Sequence, residues 1–133
     1  MKDVAEVLRE HGINPSAQRV AVAGYVLQTQ DHPSADEVWA RVKKKLPQVS
    51  RATVYNTLNL FVKVGLLRQC VLTEGRVVFD PHTGPHHHFI DEKSGKIHDV
   101  AWDKLRVSNL DALEGFNVSE YQVVMRGRKS RTK

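Results

Sequence analysis

Residues 34–80 carry the pattern that leaves this chain the fewest choices of fold. Ser34 precedes Ala-Asp-Glu, so Ser34 and Glu37 fit a capping box opening a helix over 35–46, with Val38, Trp39, Val42 and Leu46 facing inward. Pro47 ends it. Ser50 caps the next helix, which runs from 51 to about 64 and closes on Gly65. Val54, Leu58, Phe61 and Val62 recur along one face of that helix. Two β-like runs follow, 66–72 and 76–80, joined by Thr73-Glu74-Gly75. Upstream, Val4, Val7 and Leu8 mark a short helix over 3–11 that Gly12 stops. A further helix starts after Asn14, with Pro15 near its first position, and runs to about Thr29. Three helices followed by a two-stranded hairpin, with a short connection at 47–50, is the layout of a winged helix-turn-helix.

The stretch Pro81-His82-Thr83-Gly84-Pro85 is dense in turn formers and reads as a hinge. Beyond it, 86–91 and 96–100 read as strands joined by Glu-Lys-Ser-Gly, followed by a helix near 103–114 and a last strand at 121–125. The expected fold class is α+β. A winged-helix domain (1–80) precedes the hinge (81–85), a small C-terminal α/β domain (86–125) and a basic tail (126–133). So short a C-terminal unit cannot bury much surface alone, so it is expected to dimerise.

Other classes fall away on composition. Cys70 is the single cysteine, which excludes an internal disulfide and a cysteine-type structural zinc. The first twelve residues are charged throughout, with no apolar core of a signal peptide, and no apolar run approaches the ~18 residues of a membrane span. A cytoplasmic protein without a membrane partner is expected.

The net charge of +5 is unevenly placed. Residues 1–80 carry 11 Lys and Arg against 8 acids, residues 81–125 carry 4 against 7, and the last eight residues carry 5 and no acid. The tail alone therefore equals the net charge, and its simplest role is a solvated end. The case for double-stranded DNA rests instead on the helix at 51–64, whose outward face carries Arg51, Ala52, Tyr55, Asn56 and Asn59, and Thr53 in its first turn is counted among the DNA-binding residues. Arg pairs with guanine, Asn with adenine, and Ala or Tyr touches a thymine methyl. Arg19 on the preceding helix is placed to hold a phosphate.

Four of the seven histidines fall within 82–88. In a strand, His86 and His88 share one face and His87 takes the other. With Glu92 and Gly95 flanking the turn, His88 is expected directly opposite Asp99, with Cβ atoms about 5 Å apart. Two imidazoles and a carboxylate on one face form the nucleus of a transition-metal site. Asp80, ending the wing, and His32, in the loop before the 35–46 helix, are further candidates. His11, His82, His87 and His98 are expected off the site.

Together, AQR at 17–19, HPSADEVW at 32–39, SRATVYNTL at 50–58, GLL at 65–67, VFD at 78–80, HHHFID at 86–91 and GKIHD at 95–99 closely resemble the ferric uptake regulator family. The resemblance covers roughly residues 10–125 and implies a homodimeric winged-helix repressor controlled by one regulatory divalent metal per subunit. It places the family's ligands on His32, Asp80, His86, His88 and Asp99. Aspartate at 80 and 99, together with Asn56, resembles the peroxide-sensing branch rather than the iron-sensing one. That implies Fe²⁺ or Mn²⁺, with Zn²⁺ as a substitute in vitro, and oxidation of His32 or His86 by peroxide when iron is bound.

Two features depart from that pattern. Asp91 and Ser94 stand where most relatives carry the first Cys-x-x-Cys pair of a structural zinc, so packing by Phe89, Ile97, Trp102 and Phe116 is expected to hold the dimer. The run His86-His87-His88 is similar to the haem-responsive branch of the family, which makes an iron- or haem-responsive regulator the alternative. Two rivals are weaker still. A metallohydrolase needs a general base beside the metal, and no residue is so spaced. A constitutive DNA binder would use the metal only as a structural element.

Overall fold

Serine caps begin three of the four helices, and a computed structural model, which describes residues 3–73 and 75–130, shows why each starts where it does. Helix α1 spans Val4–Glu10. Helix α2 spans Ala17–Val26, capped by Ser16, whose side chain accepts the Arg19 N–H. Pro15, expected near the first helical position, instead lies one residue before the Ser16 cap. Helix α3 spans Ala35–Val42 and opens on the expected capping box, Ser34 accepting from Glu37 N–H while Glu37 accepts from Ser34 N–H. The regular helix ends four residues before Leu46, and turns carry the chain on toward Pro47, with Leu46 N–H still donating to the Val42 carbonyl at 3.0 Å. Helix α4 spans Arg51–Lys63 from the Ser50 cap, and Gly65 (φ 85°) completes its end.

Strands β1 (Arg68–Thr73) and β2 (Arg76–Asp80) pair antiparallel as the wing, Arg68 opposite Asp80. Glu74 lies outside the described residues. Leu8, Val22, Val26, Val38, Val54, Leu58 and Phe61 form a sealed core among the four helices, with Leu67 and Phe79 of the hairpin segment packed onto it. This is the winged helix-turn-helix that the capped helices and hairpin predicted.

The chain divides into two compact units, the first ending at Thr83 and the second beginning at Gly84. In the second, β3 (His86–Asp91) is central, flanked by β4 (Ile97–Ala101) antiparallel and β5 (Val124–Gly127) parallel. The β3–β4 register matches the expectation, with His88 opposite Asp99. No α-helix forms over 103–114. Two single 3₁₀ turns, Trp102–Lys104 and Leu110–Ala112, stand there instead, separated by Asn109 in the left-handed region (φ 67°). Val107, Ser108 and Asn109 are poor helix formers, and a left-handed residue breaks a right-handed run. The last strand also sits later than expected. It starts at Val124 and takes in Arg126 and Gly127, which pair with Ile90 and Asp91.

Candidate metal centre

In the N-terminal unit, His32 and Asp80 meet. His32 Nε2 lies 3.2 Å from Asp80 Oδ2, and both side chains are buried. The loop reaches this position by putting His32 at φ 51°, a conformation that costs a non-glycine residue of order 1 kcal/mol. Two hydrogen bonds hold it there. His32 Nδ1 lies 3.0 Å from the Gln30 carbonyl, and Phe79 N–H, next to Asp80, donates to the Pro33 carbonyl at 2.9 Å. Asp80 also accepts from His82 N–H at 2.9 Å, which fixes its carboxylate.

In the C-terminal unit, Asp99 Oδ1 lies 3.4 Å from His86 Nε2 and 3.6 Å from His88 Nε2. Both histidines are buried while Asp99 is 31% exposed, so the cluster opens to solvent on its carboxylate side. His86 Nδ1 lies 2.7 Å from the Gly84 carbonyl. His87, on the opposite face of β3, is occupied elsewhere: its ring stacks on Trp102 (4.6 Å between centroids, 12° between planes), and its Nδ1 accepts from Val123 N–H at 2.9 Å.

The chemistry of these donors fits a divalent transition metal. A carbonyl oxygen only accepts, so the Nδ1 atoms of His32 and His86 carry the protons they donate to Gln30 and Gly84. That leaves Nε2 as the nitrogen available to a metal, and in both histidines it faces a carboxylate oxygen. At 3.2–3.4 Å each Nε2 and its facing carboxylate oxygen are spaced so that a proton or a metal ion can lie between them. One imidazole with a carboxylate in the first unit, and two imidazoles with a carboxylate in the second, are each nitrogen–oxygen donor groups of the kind that Fe²⁺, Mn²⁺ or Zn²⁺ takes.

The six residues expected to meet DNA fall on different sides of α4. Arg19, Thr53 and Asn56 line one cleft of about 200 Å³ between α2 and α4. Tyr55, 42% exposed, lines a second groove of about 430 Å³ between α4, the start of α3 and the wing. Ala52 is exposed. Arg51 is exposed too, but it pairs with Asp36 at 3.4 Å and lies over the Trp39 ring. Arg19 Nη1 donates to the Asn14 carbonyl at 2.9 Å. The sequence reading missed the partners: Asp36, and Glu37, whose carboxylate takes Arg76 of the wing at 2.7 Å while completing the α3 cap. Helical spacing could have placed Asp36 and Glu37 at the exposed start of α3, but nothing in it names a partner on another element, 15 residues away for Asp36 and 39 for Glu37.

A winged helix followed by a small mixed sheet, each unit contributing imidazole–carboxylate contacts, defines a metal-responsive DNA-binding protein as the structural class. The sequence profile of the ferric uptake regulator family matches residues 10–126, and the chain belongs to that family. The peroxide operon regulator of Bacillus subtilis is 35% identical over 129 residues, spanning 96% of this chain and 89% of that protein. Among solved structures, a zinc-bound manganese uptake regulator superposes with a TM-score of 0.72 at 26% identity, over 97% of this chain and 100% of that one. The Campylobacter jejuni peroxide stress regulator gives 0.68 at 25% identity over the whole of both chains.

Proposed function

We propose that this chain is a metal-dependent transcriptional repressor that reports peroxide, acting as a regulator rather than an enzyme. The observation that carries the reading is the pair of half-sites: His32 with Asp80, and His86 and His88 with Asp99, each turning imidazole Nε2 toward a carboxylate. In this reading the five residues close on one Fe²⁺ or Mn²⁺. Residues 1–80 read DNA, 81–85 act as the hinge, and 86–125 sense metal and dimerise in the cytoplasm. Closure fixes the spacing of the two α4 helices of a homodimer so that they match successive half-sites of an operator. The similarity to peroxide regulators supports peroxide as the signal.

Bound Fe²⁺ would supply the electron that splits peroxide. The protein's part is positional. The Gln30 and Gly84 carbonyls hold the His32 and His86 rings with Nε2 toward the site, and burial keeps both rings from bulk solvent. An oxidised ring loses that nitrogen's geometry, and with it the tie between the two units. Aspartates at 80 and 99, one methylene shorter than glutamate, leave the fewest carboxylate rotamers to order.

The cysteine-type structural zinc has no counterpart in this reading. The β3–β4 turn is closed instead by Asp91, which accepts from Lys93 N–H and the Ser94 hydroxyl, both at 2.9 Å. The haem-responsive alternative has less support, because His87, the middle member of the run, is engaged with Trp102 and Val123.

The test measures binding to an operator duplex by the Fe²⁺ and Mn²⁺ forms before and after peroxide, with mass spectrometry of the His32 and His86 peptides. The expected result is loss of binding in the iron form alone, with one added oxygen atom on a histidine. Peroxide-insensitive binding of the iron form sinks the sensing reading, and haem-dependent loss of binding favours the alternative.

A further inference from the structure

We propose that Asp36 and Trp39 of α3 form a bracket that aims Arg51 at DNA, making Asp36 a positioning residue for sequence reading. The inference rests on the DNA-binding reading above and adds two residues to it. Arg51 opens α4, where a helix-turn-helix presents side chains to the major groove. Its Nε lies 3.4 Å from Asp36 Oδ1, and its guanidinium carbon sits 4.7 Å from the centre of the Trp39 ring. The indole is itself fixed, because Trp39 Nε1 donates to the Val49 carbonyl at 3.1 Å, across the turn that joins α3 to α4.

The arithmetic of the guanidinium gives this arrangement its meaning. Arginine has five N–H donors in a rigid fork, and Nε supplies one. An acid at Nε occupies one edge of the guanidinium and leaves its far edge, with one N–H from each Nη, to bond guanine O6 and N7 or two phosphate oxygens. Arg51 and Asp36 are each 60% exposed, so the pair contributes little to folding stability. Its effect is to restrict the rotamers of a long side chain before DNA arrives, which lowers the ordering cost of binding. Lys43, 4.1 Å from the centre of the same indole, adds a cation on this face without an acid partner among the described contacts, so it has no equivalent aim.

Asp36 is also a negative charge near a polyanion, and a bare charge would weaken all DNA binding alike. The bracket makes a different demand: Asp36 should help operator binding and should do so only through Arg51. The experiment uses the Mn²⁺-loaded full chain, a duplex selected by the wild-type protein from a random pool, and a scrambled duplex. Asp36→Ala should weaken binding to the selected duplex about tenfold and leave the scrambled duplex unchanged or slightly tighter. Arg51→Gln should lose at least as much, and adding Asp36→Ala to it should change nothing further. Asp36→Asn, which keeps an acceptor for Nε, should retain part of the preference. Thermal midpoints of all variants should match the wild type.

Equal tightening on both duplexes by Asp36→Ala overturns the bracket and leaves Asp36 as a repelling charge. An undiminished loss in the Arg51→Gln background overturns it as well, since Asp36 then acts elsewhere. Both results leave the repressor reading intact. Failure of the wild-type Mn²⁺ form to enrich any duplex overturns the repressor reading and the bracket with it.

Discussion

His88 stands directly across the β3–β4 pairing from Asp99, and its Nε2 lies 3.6 Å from Oδ1, the same oxygen that His86 Nε2 approaches at 3.4 Å. Because β-strand side chains alternate, this convergence follows from register alone. Asp99 is partly exposed, so its truncation leaves the core undisturbed. Asp99→Ala should therefore weaken Mn²⁺ binding by at least about 100-fold, more than the loss of an outer-shell partner. Stability of the metal-free protein should change by less than about 0.5 kcal/mol. Calorimetric titration with Mn²⁺ decides it, and an unchanged affinity removes Asp99 from the ligand set.

His87 tests the opposite face. Its Nδ1 accepts from Val123 N–H, whose neighbouring carbonyl accepts from His88 N–H at 3.0 Å, so the imidazole stitches β3 to the segment entering β5. His87→Leu preserves bulk but strands that N–H and should destabilise the protein by about 1–3 kcal/mol in urea unfolding. Mn²⁺ affinity should stay within the wild-type range. A large loss of metal binding with native stability would instead make His87 a ligand.

Glu37 serves two elements at once, the α3 cap and the wing. Glu37→Ala removes the acceptor of Ser34 N–H and the partner of Arg76 together. The cap should account for about 1 kcal/mol of lost stability, while the exposed ion pair adds less. Amide exchange should quicken at the tip of the wing but not in β2 near Phe79, which its own bond to Pro33 holds. Uniform quickening throughout β2 would show that the clamp at Arg76 is not local.

Much of this was legible in the chain before any coordinates. Ser34, Glu37 and Ser50 announced their helices because caps are local chemistry, and the His88–Asp99 pairing followed from turn length and strand alternation. What the sequence concealed was non-local or cumulative. The left-handed φ of His32 sits beside a bond from Phe79 N–H to the Pro33 carbonyl, a partner far along the chain. The expected 103–114 helix is broken where Asn109 takes a left-handed conformation (φ 67°) after Val107 and Ser108, and Leu113 at its end remains 48% exposed. Arg51 and Asp36 lie on separate helices, and only packing across the turn brings them together.

Asp91 gives the hairpin a defined response to acid. The Lys93 N–H first, then the Ser94 hydroxyl, stabilise its ionised form and hold its pKa below the usual carboxylate value. The folded pKa is thus depressed relative to the unfolded one. The turn's contribution is fully present above about pH 3.9 and is lost as pH falls through the lower folded value. Neutral-pH changes should leave it untouched. Asp91→Asn should flatten this acid limb in a pH series of unfolding midpoints. A wild-type carboxyl resonance titrating at or above the ordinary value would contradict the assignment.

The basic tail can be separated from the fold only at the right residue. Arg126 and Gly127 belong to β5, and the Gly127 carbonyl accepts from Glu92 N–H at 2.8 Å, so a deletion beginning at 126 would damage the sheet. Removing 128–133 takes away Arg128, Lys129, Arg131 and Lys133 and lowers the net charge from +5 to +1. If all four cations lay on phosphates, the slope of log affinity against log salt would shrink by about 3.6. For a solvated tail the shift should stay below about 1, with Mn²⁺-dependent preference for the selected duplex retained. Salt titrations of the truncated and full chains distinguish the two. Loss of metal-dependent preference on removing these six residues would move the tail from solvent onto the DNA.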